Sequence, residues 1–411
     1  MPAATLNNNQ VASLVNAAIS QSTGGALDDL DLVGIIDKGN DASVIGSVEN
    51  FTKSLLNVMI GNWFTDESYR SNYKDPFFQN SETYGAISRF ISVEVPDVIA
   101  SHAWTDITSG TTTAGVYTLY LPIVHEQVYG KTVSYELPIA ITGEQWDTAF
   151  HSASELSSFV NYIFLVVDNM LVKHLQDMDN LNRANFMAEK INYAKSVGAT
   201  GVHVINLVEA WANASGATSD ITVEDFLNDR KALNYAKSEI IFYKDMMSQM
   251  STLFNTAGYK RFVPEDKLVI QTLARFDQAL AYAADSDTYH NEILTLPQHQ
   301  TVPYWQAQSD SNGALTFDAT SSIDVVIAHG TAPDPDTEIK QTGIVCFMCH
   351  QWAIMHTLFK RRVAVEHFDA ENIDQYFYQF RDGYMNNLTM PALIFTLEDW
   401  EAPEDDNGGE E

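Results

Sequence analysis

Residues 153–195 contain neither proline nor glycine, and this uninterrupted stretch constrains the fold more than any other part of the sequence. A capping-box pattern, Ser152-x-x-Glu155, opens it, and Gly198 follows it. At 1.5 Å per residue the stretch predicts a helix roughly 60 Å long, several times the average helix length. Its apolar residues recur at helical spacing and form one broad stripe: Leu156, Phe159, Val160, Ile163, Phe164, Val167, Met170, Leu171, Leu175 and Met178.

A different pattern occupies the residues just before this stretch. Residues 116–141, VYTLYLPIVHEQVYGKTVSYELPIAI, alternate apolar and polar side chains on both sides of Tyr129, Gly130 and Lys131. Alternation with a period of two is typical of strands that bury one face. The segment therefore predicts a long two-stranded hairpin with Gly130 at its tip.

Two prolines bear on where this hairpin lies in the fold. Pro122 and Pro138 fall inside the predicted strands, and proline is tolerated in edge strands or bulges more than in the middle of a sheet. An isolated two-stranded ribbon is only marginally stable in water. We therefore expect other residues to cover the hairpin, either from the rest of the chain or from a second copy.

The acidic balance of the chain limits its partners. Its 411 residues include 54 Asp and Glu against 23 Lys and Arg, a formal net charge of −31 at pH 7. A surface that wraps nucleic acid needs clustered Lys and Arg. The one basic cluster, 360–362, is more typical of a strand end that pairs with nearby acids. Residues 398–411 hold eight acids and no base, and they predict a solvated tail.

Targeting patterns are missing from the sequence. It contains no run of about 18 apolar residues and no basic segment followed by an apolar one at its start. The sequence therefore predicts neither a membrane span nor a secretory signal, and it favours a cytoplasm-like compartment.

The two cysteines of the chain form the pattern Cys346-x-x-Cys349-His350, which allows three interpretations. It matches the attachment pattern of a c-type haem, and with His356 it would supply four zinc ligands. Haem attachment normally follows export, however, and the second ligand pair follows the first too closely for a usual zinc finger. The surrounding run 343–348 is apolar and typical of a buried strand. We therefore favour core residues, since free cysteine behaves as a small buried hydrophobe.

Motifs for enzymatic chemistry are also missing. The sequence has no G-x-G-x-x-G, no phosphate-binding G-x-x-x-x-G-K and no G-x-S-x-G elbow. His125-Glu126 lacks the second histidine of a metalloprotease helix. Asp334, Asp336 and Glu338 could line a cation loop, but the calcium-loop spacing is absent and we favour a solvated turn. We predict no catalytic, cofactor-binding or metal-binding residue, and no enzyme.

The remaining segments alternate between helical and strand-like patterns. Residues 1–25 place apolar side chains on one helical stripe and predict a docking arm. Helical patterns lie near 46–61 and 82–91, at 222–255, which a capping box opens, and at 266–283. Strand patterns lie at 201–208, 302–306, 322–328, 362–366 and 393–397.

The order of these elements is more informative than any single motif. An N-terminal arm, a long hairpin, a very long helix, a mixed region and a return to a last strand follow one another. This order resembles the major capsid protein of tailed bacteriophages, whose fold is shared with encapsulins and the herpesvirus capsid floor. Several phrases are similar to those of podovirus-type major capsid proteins: NLVEAWANASG (206–216), YKDMMSQMSTLFN (243–255), YKRFVPEDKLVI (259–270), SDTYHNEIL (286–294), VPYWQAQ (302–308) and YFYQFRDGYMNNL (376–388).

The resemblance implies an α+β fold divided into successive segments. These are an N-terminal arm and flanking segment (1–115), an extended β-hairpin loop (116–142), a peripheral domain with a spine helix (143–201), an axial domain (202–340), a return to the peripheral domain (341–397) and an acidic tail (398–411).

The resemblance also implies a structural function. The chain would assemble in the host cytoplasm into pentamers and hexamers of an icosahedral or prolate virion shell. The shell would enclose double-stranded phage DNA without sequence specificity, and scaffolding, portal and decoration proteins would be further partners, with no membrane. The hairpin tip, Tyr129, Gly130 and Lys131, would contact a neighbouring subunit. Some members of this fold cross-link subunits through a lysine on the hairpin, but no partner residues can be assigned here.

Two alternatives stay open at this point. One is another virion or surface protein that uses the hairpin to adhere, and the other is an enzyme with an unrecognised site. The formation of particles would separate the capsid hypothesis from both.

Overall fold

The structure of the chain is a computed structural model. It describes residues 77–81, 88–95, 121–129, 133–142, 153–197, 201–216, 221–285, 296–306, 315–327, 337–359, 362–368 and 373–400. These residues form two compact units. The described residues within 77–81, 133–179 and 356–384 belong to the first unit, and those within 88–129, 180–355 and 385–400 belong to the second.

Helices and strands are mixed along the described residues, in the α+β composition that was expected. The strands are, in chain order, β1 Phe78–Ser81, β2 Ser88–Val93, β3 Val124–Tyr129, β4 Val133–Thr142, β5 Val204–Asn206, β6 Leu268–Leu273, β7 Gln300–Val302, β8 Ile323–Ile327, β9 Thr337–Gln341, β10 Ile344–His350, β11 Ile354–Leu358, β12 Arg362–Phe368, β13 Ile373–Asn386 and β14 Ala392–Thr396. The helices are α1 Ala153–Val197, α2 Leu207–Ser215, α3 Val223–Asn228, α4 Arg230–Met247, α5 Ala274–Asp285 and α6 Phe317–Ser321.

Helix α1 confirms the helix predicted over 153–195. Lys195 lies in its last turn, where a positive charge is favourable beside the free carbonyl groups. The helix residues up to Asp179 belong to the first unit and the later ones to the second. In the second unit the helix is enclosed on several sides, and its buried apolar side chains are Ala184, Phe186, Met187, Ala188, Ile191 and Ala194.

In the first unit, β4 pairs antiparallel with β13 along its whole length. Tyr135 of β4 contacts α1, with its ring centroid 4.4 Å from that of His174 and 5.5 Å from that of Phe380. Among the described strands β4 pairs with β13 alone, so Pro138 lies in an edge strand as its chemistry favours. Pro122 precedes β3 and is not part of it.

The predicted hairpin over 116–141 is wrong, although both of its strands exist. β3 pairs with β2 in a separate antiparallel ribbon, whereas β4 pairs with β13. Alternating residues specify a strand with one buried face, but they do not specify the strand that pairs with it. Here both partners come from segments distant in the sequence. Gly130 and Lys131, the predicted tip, lie outside the described residues.

The second unit contains a sheet in the order β5-β14-β10-β6-β7, with β10 at its centre. Every residue of β10 and of β14 is buried. A strand that is covered on both faces carries a continuous apolar run instead of an alternation. The sequence IVCFMCH of β10 has this character, and the buried strand predicted at 343–348 is confirmed.

Two predicted elements change type along their length. The strand predicted over 201–208 ends at Asn206, because the side chain of this residue accepts hydrogen bonds from two N–H groups of α2 and caps that helix. The helix predicted over 266–283 begins instead as strand β6 and becomes α5 only at Ala274. Most of β6 is buried, and the period of a short apolar run does not distinguish a buried strand from a helix.

The helical stretch predicted over 222–255 is interrupted and shorter. Its opening capping box at Thr222 is present. The helix breaks at Asp229, whose backbone is extended and whose side chain caps α4, and α4 ends at Met247. The strand predicted over 302–306 is also misplaced, since β7 ends before most of it. The predicted strands that are confirmed are β8, β12 and β14.

The predicted return segment 341–397 is divided between the two units. Its strand β12 and most of β13 lie in the first unit, whereas β10 and β14 lie in the second. Hydrogen bonding is the reason for the division, because β10 is held between β6 and β14 in the sheet of the second unit.

The tail predicted over 398–411 begins as packed residues. Thr342 donates a hydrogen bond to Glu398, and Asn206 donates one of 2.5 Å to Asp399. The end of the tail, the helix predicted near 46–61 and the arm predicted over 1–25 lie outside the described residues. No helix in the part of the chain that the structure describes is long and apolar enough to cross a membrane.

Candidate functional site: a ribbon with an exposed apolar face

The cysteine motif is part of the core. Cys346 and Cys349 are free thiols and fully buried in β10. Because they are three positions apart on a strand, their side chains point to opposite faces and cannot bind one ion together. Burial raises the pKa of both thiols and keeps them protonated. Burial also lowers the pKa of His350 to about 4, helped by the positive charges of Arg261 and Lys267.

The predicted cation loop and basic cluster are only partly described. Glu338 lies in β9 and forms an ion pair with Lys340 at 2.7 Å, whereas Asp334 and Asp336 lie outside the described residues. Within the described ranges no three His, Cys, Asp or Glu side chains are grouped to hold a metal ion. Of the basic cluster, Arg362 begins β12 and donates to a glutamine of β13.

The ribbon formed by β2 and β3 stands apart from both large sheets. Exposed and half-buried residues alternate strictly along β3, and one side of the ribbon faces solvent. On this side, five apolar side chains remain 64%, 56%, 47%, 56% and 57% exposed: Ile91, Val93, Val95, Val124 and Val128, which together are called the ribbon apolar face.

The other side of the ribbon carries most of its polar side chains and packs on other residues of the second unit. The hydroxyl of Ser92 lies 2.8 Å from that of Tyr259 and accepts a hydrogen bond of 3.0 Å from Arg261. The ring of His125 stacks on that of Tyr259, with 4.3 Å between the centroids. The ribbon thus turns Ser92 and His125 inward and most of its aliphatic side chains outward, the reverse of an ordinary half-buried strand pair.

Tyr129, the predicted tip residue, is half-buried at the end of β3. Its hydroxyl donates to the backbone carbonyl of Asn386 over 3.4 Å, and its ring lies 5.9 Å from that of Phe90. Burial raises the pKa of Tyr129, and the charge of Arg261 opposes this shift. The tyrosine therefore anchors the ribbon within its own unit.

The second strand of this ribbon lies where a helix was predicted, near 82–91, and that prediction is wrong for Ser88–Val93. Residues 91–95, ISVEV, alternate apolar and polar side chains, and this signal could have revealed β2. One ion pair also lies on the exposed side, where Arg89 contacts Glu126 at 2.5 Å. The hydrogen bond from Arg89 lowers the pKa of Glu126.

The ribbon apolar face is a surface that gains free energy when it is covered. About half of each side chain remains in water, so covering it would stabilise a complex by roughly 1 kcal/mol per residue. Large exposed apolar patches on soluble proteins mark places where another molecule binds, and on this side of the ribbon Val93 lies opposite Val124, with Ile91 and Val95 two positions away on either side. The arrangement is thus suited to association and has no feature of a catalytic centre among the described residues.

Comparison with known proteins agrees with this interpretation. A family profile described as Phi29-like phage major capsid protein matches residues 38–396, most of the chain. A search of curated proteins found no match.

Several solved capsid structures are weakly similar to the chain. The capsid structure of Staphylococcus phage Andhra is 11% identical, with a TM-score of 0.49 and coverage of 78% of this chain and 83% of that one. The capsid of cyanophage P-SCSP1u is 11% identical, with a TM-score of 0.37 and coverage of 80% and 90%. The mature capsid of bacteriophage PhiM1 is 7% identical, with a TM-score of 0.38 and coverage of 80% and 89%.

Because these structural similarities are weak, the assignment rests on the family match, which extends over both units. The match confirms the resemblance to tailed-phage major capsid proteins and replaces the alternatives of an adhesion protein and an enzyme. The chain belongs to the Phi29-like phage major capsid protein family: it is a structural, non-enzymatic protein of the virion, where copies of it assemble into the capsid shell.

Proposed function

We propose that the chain builds an icosahedral or prolate shell of pentamers and hexamers around double-stranded DNA, and that the β2–β3 ribbon joins each copy to a neighbour. The inverted polarity of the ribbon carries this proposal. A chain that functions as a monomer would bury Ile91 and Val93, whereas both are more than half exposed in this chain. A neighbouring copy of a shell-forming chain is the partner that would cover them.

Each ribbon contact would be modest by itself. A closed symmetric shell repeats the contact around every copy, and several linked contacts per copy add steeply to the stability of the whole. In this proposal the unit with the central strand β10 is the axial domain, and the unit with β4 and β13 is the peripheral domain.

The proposal gives the three residues of the predicted hairpin tip two different roles. Tyr129 is held by its own unit through Asn386 and Phe90, so it serves as the fixed end of the ribbon. Gly130 and Lys131, which follow it directly, would contact the neighbouring subunit together with the ribbon apolar face.

The other proposed partners follow from charge and family. A net charge of −31 suits a container wall that encloses DNA without adhering to it, because phosphate contacts require clustered cations. Contact with DNA would then lack sequence specificity. Scaffolding, portal and decoration proteins complete the set of partners, and the shell assembles in the host cytoplasm.

A matched pair of variants tests the role of the ribbon. Val93 and Val326 are both strand valines in two-stranded sheets, with 56% and 59% of their side chains exposed. We expect Val93→Lys to prevent shell formation, since it would bury a charge at the contact, and Val326→Lys to assemble normally. Both should unfold within about 0.5 kcal/mol of the unchanged chain.

Sedimentation and electron microscopy of the expressed protein, alone and with a scaffolding protein, measure the outcome. Shells of Val93→Lys at the normal yield would contradict the proposal. Equal loss of shells in both variants would also contradict it, because a general charge effect would then explain the result.

A further inference from the structure

A second exposed apolar surface lies in the second unit, and we propose that it binds the ribbon apolar face of a second copy of the chain. This surface, called the apolar strip, consists of Phe242, Met250 and Phe262, which are 52%, 45% and 47% exposed. The inference rests on the proposed function, because it names the place on the neighbouring copy where the ribbon docks.

The backbone accounts for the position of the apolar strip. Phe242 lies on the side of α4 opposite to its buried residues, and α4 ends at Met247, shortly before Met250. After α4, Ser251 pairs with Arg261 through two backbone hydrogen bonds of 2.9 Å each. Met250 precedes this pair and Phe262 follows it, so the two side chains lie opposite each other across neighbouring backbone segments.

The chain's own ribbon leaves the apolar strip uncovered. The polar side of the ribbon is held by Tyr259 and Arg261, the segment directly before Phe262. Because the two faces of a ribbon point in opposite directions, the ribbon apolar face points away from this segment while these contacts are made. Both apolar surfaces therefore stay open within one copy, and two copies can bring them together.

The two surfaces present different kinds of apolar side chain. The ribbon apolar face presents short β-branched side chains on a pleated surface, whereas the apolar strip presents long phenylalanine and methionine side chains. Methionine adapts to irregular surfaces, and both residue types are enriched at protein interfaces. A contact between two different surfaces of identical chains is heterologous, and it generates rings when the rotation closes. A shell made from copies requires such rings.

Opposite charges introduced on the two surfaces test the contact. We expect Val93→Asp and Met250→Lys each to raise the protein concentration needed for shell assembly about tenfold or more, because each leaves an unpaired charge at the contact. The double variant should return to within about threefold of the unchanged chain, since opposite charges then meet. A mixture of the two single variants should also assemble better than either alone, because alternating copies make only matched contacts in a ring of six and leave one mismatched contact in a ring of five.

Light scattering and electron microscopy measure assembly, and thermal unfolding verifies that each variant is folded. Val326→Asp, the matched control for Val93→Asp, should not rescue Met250→Lys. If Val93→Asp impairs assembly but neither the double variant nor the mixture regains it, the apolar strip is not the docking surface, and the role of the ribbon stands. Normal assembly by Met250→Lys alone would also overturn the inference. Normal assembly by Val93→Asp would overturn the role of the ribbon itself.

Discussion

Strand β10 and the β2–β3 ribbon both carry several apolar residues, yet their surroundings are opposite. In β10, Val345 and Phe347 are fully buried between β6, β14 and the elements on either face. In the ribbon, Val93 and Val128 have more than half of their surface in water. Apolar side chains thus stabilise β10 within a single copy, whereas in the ribbon they are available to bind a neighbouring copy.

The difference teaches how stability and assembly are separated in this molecule. Changes in β10 act on the free energy of unfolding, because they remove packing that every copy has before it meets another. Changes in the ribbon act mainly on association, because its apolar face has little packing to lose in the free chain. Substitutions of similar chemistry at the two places should therefore have different consequences.

The largest expected effect is on stability in the core. Phe347→Ala should lower the free energy of unfolding by about 3–5 kcal/mol, since it empties a space enclosed on both faces of the sheet. Phe242→Ala, at a half-exposed position, should lower it by less than about 1 kcal/mol. Chemical denaturation of both variants measures the difference. Similar decreases in the free energy of unfolding would contradict the distinction between the two regions.

The next effect concerns pH and the buried amine of Lys190. Burial lowers the pKa of Lys190 to about 7, whereas an unfolded lysine titrates near about 10.4. Above pH 7 the unfolded chain binds more protons, so the free energy of unfolding should rise by up to about 1.4 kcal/mol per pH unit. Above about pH 8.5 the thiols of Cys346 and Cys349 reverse the trend, since unfolded cysteine ionises there and the buried thiols do not. Stability should therefore peak at about pH 8.5.

Lys190→Met tests the origin of this rise. Near the amine, Cys349 stays protonated, and His203 stays neutral because burial, helped by Lys190, lowers its pKa to about 4. The variant should lack the increase between pH 7 and 8. The carbonyl of Phe254, which Lys190 contacts at 3.0 Å, also accepts a hydrogen bond from Ala392 and stays satisfied. An unchanged slope would assign the rise to other groups.

A smaller effect should follow from loosening the polar side of the ribbon. Tyr259→Phe removes the hydroxyl that lies 2.8 Å from Ser92 but keeps the ring on which His125 stacks. The loss of about 1 kcal/mol should speed amide hydrogen exchange in β2 and β3 roughly fivefold and leave β10 unchanged. Tyr282→Phe, at an exposed tyrosine, is the control and should change neither.

The smallest effect on stability should come from the exposed face itself. Val128→Thr keeps the shape of the side chain and should change the free energy of unfolding by less than about 0.5 kcal/mol. The same substitution in β10, Val345→Thr, should cost about 1–3 kcal/mol, because it buries a hydroxyl. Thermal unfolding distinguishes them, and Val128→Thr should weaken assembly even though the free chain stays stable.

Local patterns predicted the elements whose residues act within a few positions of one another. The stretch without proline and glycine predicted α1, the apolar run predicted β10, and the capping box at Thr222 is present. Pairing between distant strands was not predictable, because alternation identifies a face and not a partner. For the same reason, the sequence did not indicate which face of the ribbon is buried. Ile91 and Val95 follow the period of a core strand, and only the docking of Ser92 on Tyr259 reveals which side faces inward.

The sealed position of the two cysteines has a practical consequence. They are the only cysteines of the chain, and both are buried in β10, out of reach of oxidants. Particles released into oxidising surroundings would therefore have no surface thiol with which to form stray disulfides. One cysteine introduced on the exterior would be the sole reactive thiol of each subunit, so a shell could be labelled at one chosen point per copy.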